Sequence, residues 1–158
     1  MSVLSSYESM FGTSFSCQCG MQHTVPLKYV VIKQKAEEEI PSILAEQSAG
    51  KRGLMICDDN TWELAGGRIL EVLSNKGYEI RVCMLNQKPM VIPNEKAITQ
   101  ILLEFEPSMD FLIAVGSGTI NDLTRFISHR TGKPYIIFAT APSMDGYAST
   151  VSRLLING

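Results

Sequence analysis

An α/β fold, a Rossmann-like and mostly parallel sheet with helices on both faces, is predicted by three observations. Strand-like and helix-like segments alternate from about residue 25 onward at the length of βαβ units. Two of the strand-like segments, residues 53–57 and 111–115, are unbroken apolar runs of the kind that lie buried on both faces of a sheet. The chain has 158 residues, 45% of them hydrophobic, enough for one domain with a real core.

Residues 1–22 mix Ser, Gly, Cys and Met without a period and are expected to be irregular. Residues 25–32 carry Val25, Val30, Val31 and Ile32 and predict a strand with Pro26 near its edge. In residues 36–47 the spacing of Ile40, Ile43 and Leu44 predicts a helix, with Pro41 tolerated near the first turn. After the strand at 53–57, Asp58, Asp59, Asn60 and Thr61 open a helix expected to run to about Lys76, its face formed by Leu64, Ala65, Ile69, Val72 and Leu73. Gly77 ends it. The remaining elements are a strand at 78–85, a helix at 94–104, a strand at 111–115, a helix at 119–129 and a strand at 135–139.

Charge and composition narrow the function classes. Sixteen acidic against fourteen basic residues leave a net charge of −2, and no block of like charge could track a phosphate backbone, so nucleic acid is not an expected partner. No apolar run approaches the roughly 20 residues that cross a bilayer, and the start lacks the basic and apolar regions of a signal peptide, so a soluble cytoplasmic protein without a membrane partner is expected. The four cysteines, Cys17, Cys19, Cys57 and Cys83, suit a reducing compartment better than a disulfide scaffold.

Three segments could carry chemistry. Gly116, Ser117, Gly118, Thr119 and Ile120 stand where a strand passes into a helix. Glycines there let a phosphate approach the backbone, and first-turn N–H groups point at it. The spacing is not G-x-G-x-x-G, and a plain tight turn fits the same residues. Asp58 and Asp59 close an earlier strand; Asp59 or Asn60 is expected to cap the next helix, leaving Asp58 to face ribose hydroxyls. Residues 140–149 gather hydroxyls, Asp145 and Tyr147 after the last strand, although by composition they read as an ordinary loop. Cys17, Cys19 and His23 offer three metal donors, but C-x-C is tighter than usual zinc spacing and no fourth ligand is near, so no metal site is expected. His129 reads as a surface residue at a helix C-terminus, and Trp62 and the methionines as packing residues.

The stretch GSGTINDLTR, followed by residues 135–149 (YIIFATAPSMDGYAS), resembles the bacterial-type sn-glycerol-1-phosphate dehydrogenases, within the superfamily of iron-containing alcohol dehydrogenases, glycerol dehydrogenases and dehydroquinate synthases. Residues 17–23 and 58–62 are similar to the same family, and the resemblance spans about residues 15–158 in register. It implies that residues 23–158 form a dinucleotide-binding domain for NAD or NADP. By position, Asp58 would hold the adenosine ribose, Gly116, Ser117, Gly118, Thr119 and Ile120 the pyrophosphate. Thr140, Ala141, Pro142, Ser143 and Ser149 would line the path to the nicotinamide, and Asp145 would face the substrate.

The resemblance further implies interconversion of dihydroxyacetone phosphate and sn-glycerol 1-phosphate in a full-length homo-oligomeric parent that uses a divalent metal: zinc, nickel or iron. GSGT, where glycerol dehydrogenases tend to carry GGGK, favours a phosphorylated triose or glycerol as the small-molecule partner. The family's metal ligands, one Asp and two His, lie in a downstream helical domain. The apolar run and turn at 154–158 read as a chain cut within a larger protein, so this chain alone is expected not to turn over substrate. A related metal-dependent polyol or alcohol dehydrogenase, and a non-catalytic nucleotide-binding module, are the other readings.

Overall fold

The computed structural model describes residue 9, residues 11–144 and residues 146–157. The chain divides into two compact units, Met1–Ala36 and Glu37–Gly158. The first unit holds a short antiparallel hairpin, β1 (Ser14–Ser16) and β2 (Gln22–Thr24), in register Ser14 to Thr24 and Phe15 to His23. The strand expected at residues 25–32 does not form. Pro26 has no N–H to give a ladder, and the pairing ends instead with Val25 and Leu27 accepting from Gly12.

The second unit is built on four parallel strands, β3 (Arg52–Asp58), β4 (Glu79–Leu85), β5 (Phe111–Gly116) and β6 (Tyr135–Ala139), in the order β4-β3-β5-β6. Because β3 and β5 are central, both of their faces must be covered, which is why their sequences are continuous apolar runs rather than alternating ones. Successive side chains point to opposite faces. Leu54, Ile56, Leu112 and Ala114 meet α4 (Glu95–Glu104) and α5 (Gly118–Thr131) through Ala97, Ile101, Ile120, Leu123 and Ile127. Met55, Cys57, Phe111, Ile113 and Val115 meet the opposite layer through Ile40, Leu44, Ile69 and Leu73.

That opposite layer departs from expectation in two places. The helix foreseen at 36–47 begins as a 3-10 turn, Ala36–Glu39, and only Ile40–Glu46 (α1) is α-helical, with the buried Pro41 in its first turn. The helix after β3 runs as α2 (Asp59–Thr61), a π-turn (Trp62–Gly66) and α3 (Gly67–Asn75). Its wide turn accommodates the Trp62 ring over Gly66, where a Cβ would lie 2.7 Å from the ring. Among the described residues, no helix is long and apolar enough to cross a membrane.

The amino ends of the central strands are tied by Asp110, whose Oδ2 accepts from Lys51 N at 2.8 Å and Arg52 N at 2.9 Å. These bonds, that from Arg52 first, hold the Asp110 carboxyl below the usual carboxylate range. A lowered pKa in the folded state gives stability that is present above the unfolded value near pH 4 and is lost as pH falls through the folded value. Asp110→Asn should therefore flatten the acid limb of the stability curve below about pH 4. Urea melts of both proteins from pH 2 to 6 check this, and parallel acid limbs would contradict it.

Candidate functional site

In an open parallel sheet, ligands collect at the carboxyl ends of the strands, where the strand order reverses. Here the chain leaves β3 for β4 on one side and returns to β5 on the other, so the crevice lies between the ends of β3 and β5. The two strands pair Gly53 with Phe111 through Ile56 with Ala114. Carrying that register two residues further sets Asp58 level with Gly116.

At the end of β5 the chain turns through Ser117 directly into α5. The helices following β3 and β4 are closed by side chains, α2 by Asp58 and α4 by Asn94, whose Oδ1 accepts from Ala97 N at 3.2 Å. The N-terminus of α5 has no side-chain cap. Its first-turn N–H groups are thus left to an outside acceptor, aligned with the positive end of a 14-residue helix. A Cβ on Gly118 would lie 2.7 Å from Met144 Sδ, and one on Gly116 would lie 2.7 Å from Ile120 Cβ and Cγ1. The backbone there is closely approached on both sides, which is what excludes side chains.

These two contacts make a paired prediction. Gly116→Ala presses on the branch point of a buried isoleucine and should destabilise by about 1–3 kcal/mol. Gly118→Ala meets only the mobile end of Met144 and should cost less, while placing a methyl group on the surface a phosphate would need. Thermal melts of the two variants decide the order, and a larger loss for Gly118→Ala would contradict it.

The loop after β6 is drawn to the same end. Thr140 N donates to Gly116 O at 3.0 Å, Ser149 N to Gly146 O, and the Tyr147 hydroxyl to Ala141 O. Pro142, Ser143 and Ser149 are exposed beside it. Asp145 lies outside the described residues. The structure therefore gathers Gly116, Ser117, Gly118, Thr119, Ile120, Thr140 and Ala141 at one end of β5 and β6, with Asp58 at the end of the neighbouring strand.

Asp58 corrects one expectation. It is the helix cap itself: Oδ1 accepts from Thr61 N at 2.8 Å while Asp58 N donates to Thr61 Oγ1 at 3.0 Å, a reciprocal capping box. Of the two neighbours expected to cap, Asp59 and Asn60, Asp59 instead pairs with Lys88. That ammonium's hydrogen bond holds the Asp59 carboxyl below its usual range. The backbone decides between them, since Asp58 keeps the extended φ/ψ of a strand end, −112° and 177°, that a cap requires. Behind Asp58, burial first and then the Asp58 charge push the Cys57 thiol up to about 12, so it stays protonated and inert.

Sequence reasoning missed the group that holds this loop. Arg125 is 7% exposed. It donates from Nη1 to Asp122 Oδ1 at 2.9 Å and Val151 O at 2.7 Å, from Nη2 to Gly146 O at 2.8 Å, and from Nε to the Tyr135 hydroxyl at 3.1 Å. The i,i+3 placement of Asp122 and Arg125 was a readable signal of the pair, but nothing local told which carbonyls the guanidinium would reach.

A shallow cavity of about 370 Å³ lies elsewhere, at the amino ends of β3 and β4, lined by Arg52, Glu79 and Arg81 among others. Its arginines are already paired with Glu79 and Glu106, so it offers no open charge to an anion. Among the described residues, one group of three metal-ligating side chains comes together, Cys17, Cys19 and His23. No set of a carboxylate with two imidazoles does, so the described residues do not form the metal site that the resemblance implies.

The same fold is found in solved structures. The glycerol dehydrogenase from Schizosaccharomyces pombe matches with a TM-score of 0.58 at 21% identity, over 70% of this chain and 27% of that one. Maleylacetate reductase from Agrobacterium tumefaciens matches with a TM-score of 0.57 at 13% identity, over 80% of this chain and 39% of that one. In sequence, the glycerol-1-phosphate dehydrogenase (NAD(P)+) of Geobacillus stearothermophilus is 33% identical over 154 residues, 96% of this chain. The chain spans only 38% of that relative's length. The family model described as iron-containing alcohol dehydrogenase covers residues 31–158, the whole parallel sheet and both segments that form the crevice end. With sheet order, crevice and sequence in agreement, the chain belongs to the iron-containing alcohol dehydrogenase family.

Proposed function

We propose that this chain is the dinucleotide-binding part of a glycerol-1-phosphate dehydrogenase, which interconverts dihydroxyacetone phosphate and sn-glycerol 1-phosphate. The observation that carries the reading is the uncapped N-terminus of α5 at the reversal of strand order, in a chain similar over nearly its whole length to relatives bearing that name.

In this reading the first-turn N–H groups at Gly118, Thr119 and Ile120 hold the pyrophosphate, with Gly116 and Ser117 forming the turn beneath it. Asp58 accepts from the adenosine ribose, and its charge opposes a 2′-phosphate, which favours NAD over NADP. Thr140, Ala141, Pro142, Ser143 and Ser149 line the path toward the nicotinamide, and Asp145 faces the phosphorylated triose. Bound there, the nicotinamide supplies the hydride for the carbonyl carbon. The chain's own part is to orient it and, through the loop held by Arg125, to shelter the reacting end from water. A divalent metal is held by ligands in the remainder of the full-length, homo-oligomeric and cytoplasmic protein.

The test follows nicotinamide absorbance with dihydroxyacetone phosphate or free dihydroxyacetone, in the presence of zinc, nickel or iron. The full-length polypeptide is expected to reduce the phosphate ester in preference to the free triose. The 158-residue chain alone is expected to be inactive. Preference for the unphosphorylated substrate would move the reading to a polyol dehydrogenase, and metal-dependent turnover by the short chain would place the catalytic ligands within it.

A further inference from the structure

We propose that Cys17, Cys19 and His23 form a zinc site with two thiolates, one imidazole nitrogen and a fourth position open to solvent. In sequence, the C-x-C spacing is tight for zinc and a fourth ligand is missing. The hairpin answers the first point, because it returns the chain so that His23 comes back beside Cys19. Cys17 N donates to Met21 O at 3.0 Å and Gly20 N to Cys17 O at 3.0 Å, closing the turn between β1 and β2. Gly20 takes φ +84°, which few other residues could adopt there.

The two sulfurs and a ring nitrogen then all lie within 4.8 Å of one another, with Cys19 Sγ 3.1 Å from His23 Nε2. Tetrahedral zinc at ordinary bond lengths sets such donors roughly 3.5–3.8 Å apart, so small rotations suffice to close the site. The surroundings also suit a bound metal. Cys19 N donates to Cys17 Sγ at 3.5 Å, an outer-shell bond of the kind that orients ligating sulfur. His23 lies across from Phe15, ring centroids 5.8 Å apart.

As for the fourth ligand, three protein donors with one open position are an established zinc arrangement. Two thiolates and an imidazole select a soft or borderline cation over magnesium or calcium. The need for a metal is visible too. Both strands are three residues long and exposed throughout, and a two-stranded hairpin without burial is marginal in water. A metal bridging the turn to β2 supplies the closure that packing does not.

The chain, kept reduced and stripped of metal, is titrated with cobalt(II) as a spectroscopic stand-in and then with zinc in competition. One cobalt per chain should bind, with a thiolate-to-metal charge-transfer band of two-thiolate intensity. Cys17→Ser and Cys19→Ser should each halve that band and weaken zinc binding by at least about tenfold. His23→Cys should raise the band by about half, a gain that misfolding cannot imitate. Absence of the band would overturn the proposal. So would a band left unchanged by these substitutions and lost instead with the buried Cys57 and Cys83.

Discussion

Replacing Arg125 by Met is expected to destabilise the second unit by about 3–5 kcal/mol, the usual cost of breaking a buried ion pair by removing one partner. The guanidinium serves Asp122, Tyr135 and the carbonyls of Gly146 and Val151 at once. Both charged side chains are almost enclosed, Arg125 at 8% and Asp122 at 13% exposure. Met fills much of the same volume but takes the partner charge from Asp122 Oδ1 and the guanidinium donors from Gly146 O and Val151 O, leaving those carbonyls only their bonds from Ser149, and the weakened groups carry a desolvation penalty. Lys is a poor rescue, because a single ammonium cannot reproduce a planar fork that reaches in three directions.

Pairing Arg125→Met with Asp122→Leu should recover part of the loss, since the stranded charge goes with it. Urea unfolding measures both variants. A loss below about 1 kcal/mol for Arg125→Met would mean that the pair behaves as an exposed one. The effect should reach the site as well, because Gly146 and Val151 lie in the segment that follows Thr140. Limited proteolysis of the variant should open within residues 140–151 before the sheet unfolds.

Asp58→Ala is expected to act twice. Losing the cap should cost about 0.5–2 kcal/mol of stability. Losing the charged acceptor proposed for the ribose should weaken dinucleotide binding by about 1.5–3 kcal/mol, roughly 10- to 150-fold. Asp58→Asn separates the two roles, because Asn caps as well as Asp but brings no charge. Its stability should stay near that of the parent while its NAD affinity falls. Preference should also drift toward NADP, whose 2′-phosphate no longer meets a carboxylate. Calorimetric titration with both cofactors checks this, and unchanged affinities in Asp58→Asn would reduce Asp58 to a cap alone.

The parts of the fold legible in the sequence were those that burial dictates. β3 and β5 could be read because strands enclosed on both faces need unbroken apolar runs, and α5 because it follows β5 through glycines. The strand expected at 25–32 failed because its valines counted for more than Pro26, whose missing N–H stops a ladder whatever the side chains around it prefer. Asp58 and Asp59 share the same chemistry, so which one capped could be decided only by the backbone angles at the strand's end. The Arg125 hub was half legible: its partner one turn back is a matter of helix period, whereas its other partners lie 10 to 26 residues away and depend on how the final loop folds. Cys17, Cys19 and His23 were legible as donors and illegible as a cluster, since the register of β1 and β2 brings them together.

The crevice between the ends of β3 and β5 is tested most directly by following backbone amide resonances of the nitrogen-15-labelled chain while NADH is added to millimolar concentration. The expected shifts fall on Asp58 and Asp59, on Ser117, Gly118, Thr119 and Ile120, and on Thr140, Ala141 and Ser143, while Arg52, Glu79 and Arg81 at the amino ends of the strands stay still. Shifts gathered at that opposite end, or none anywhere, would contradict the assignment of the site.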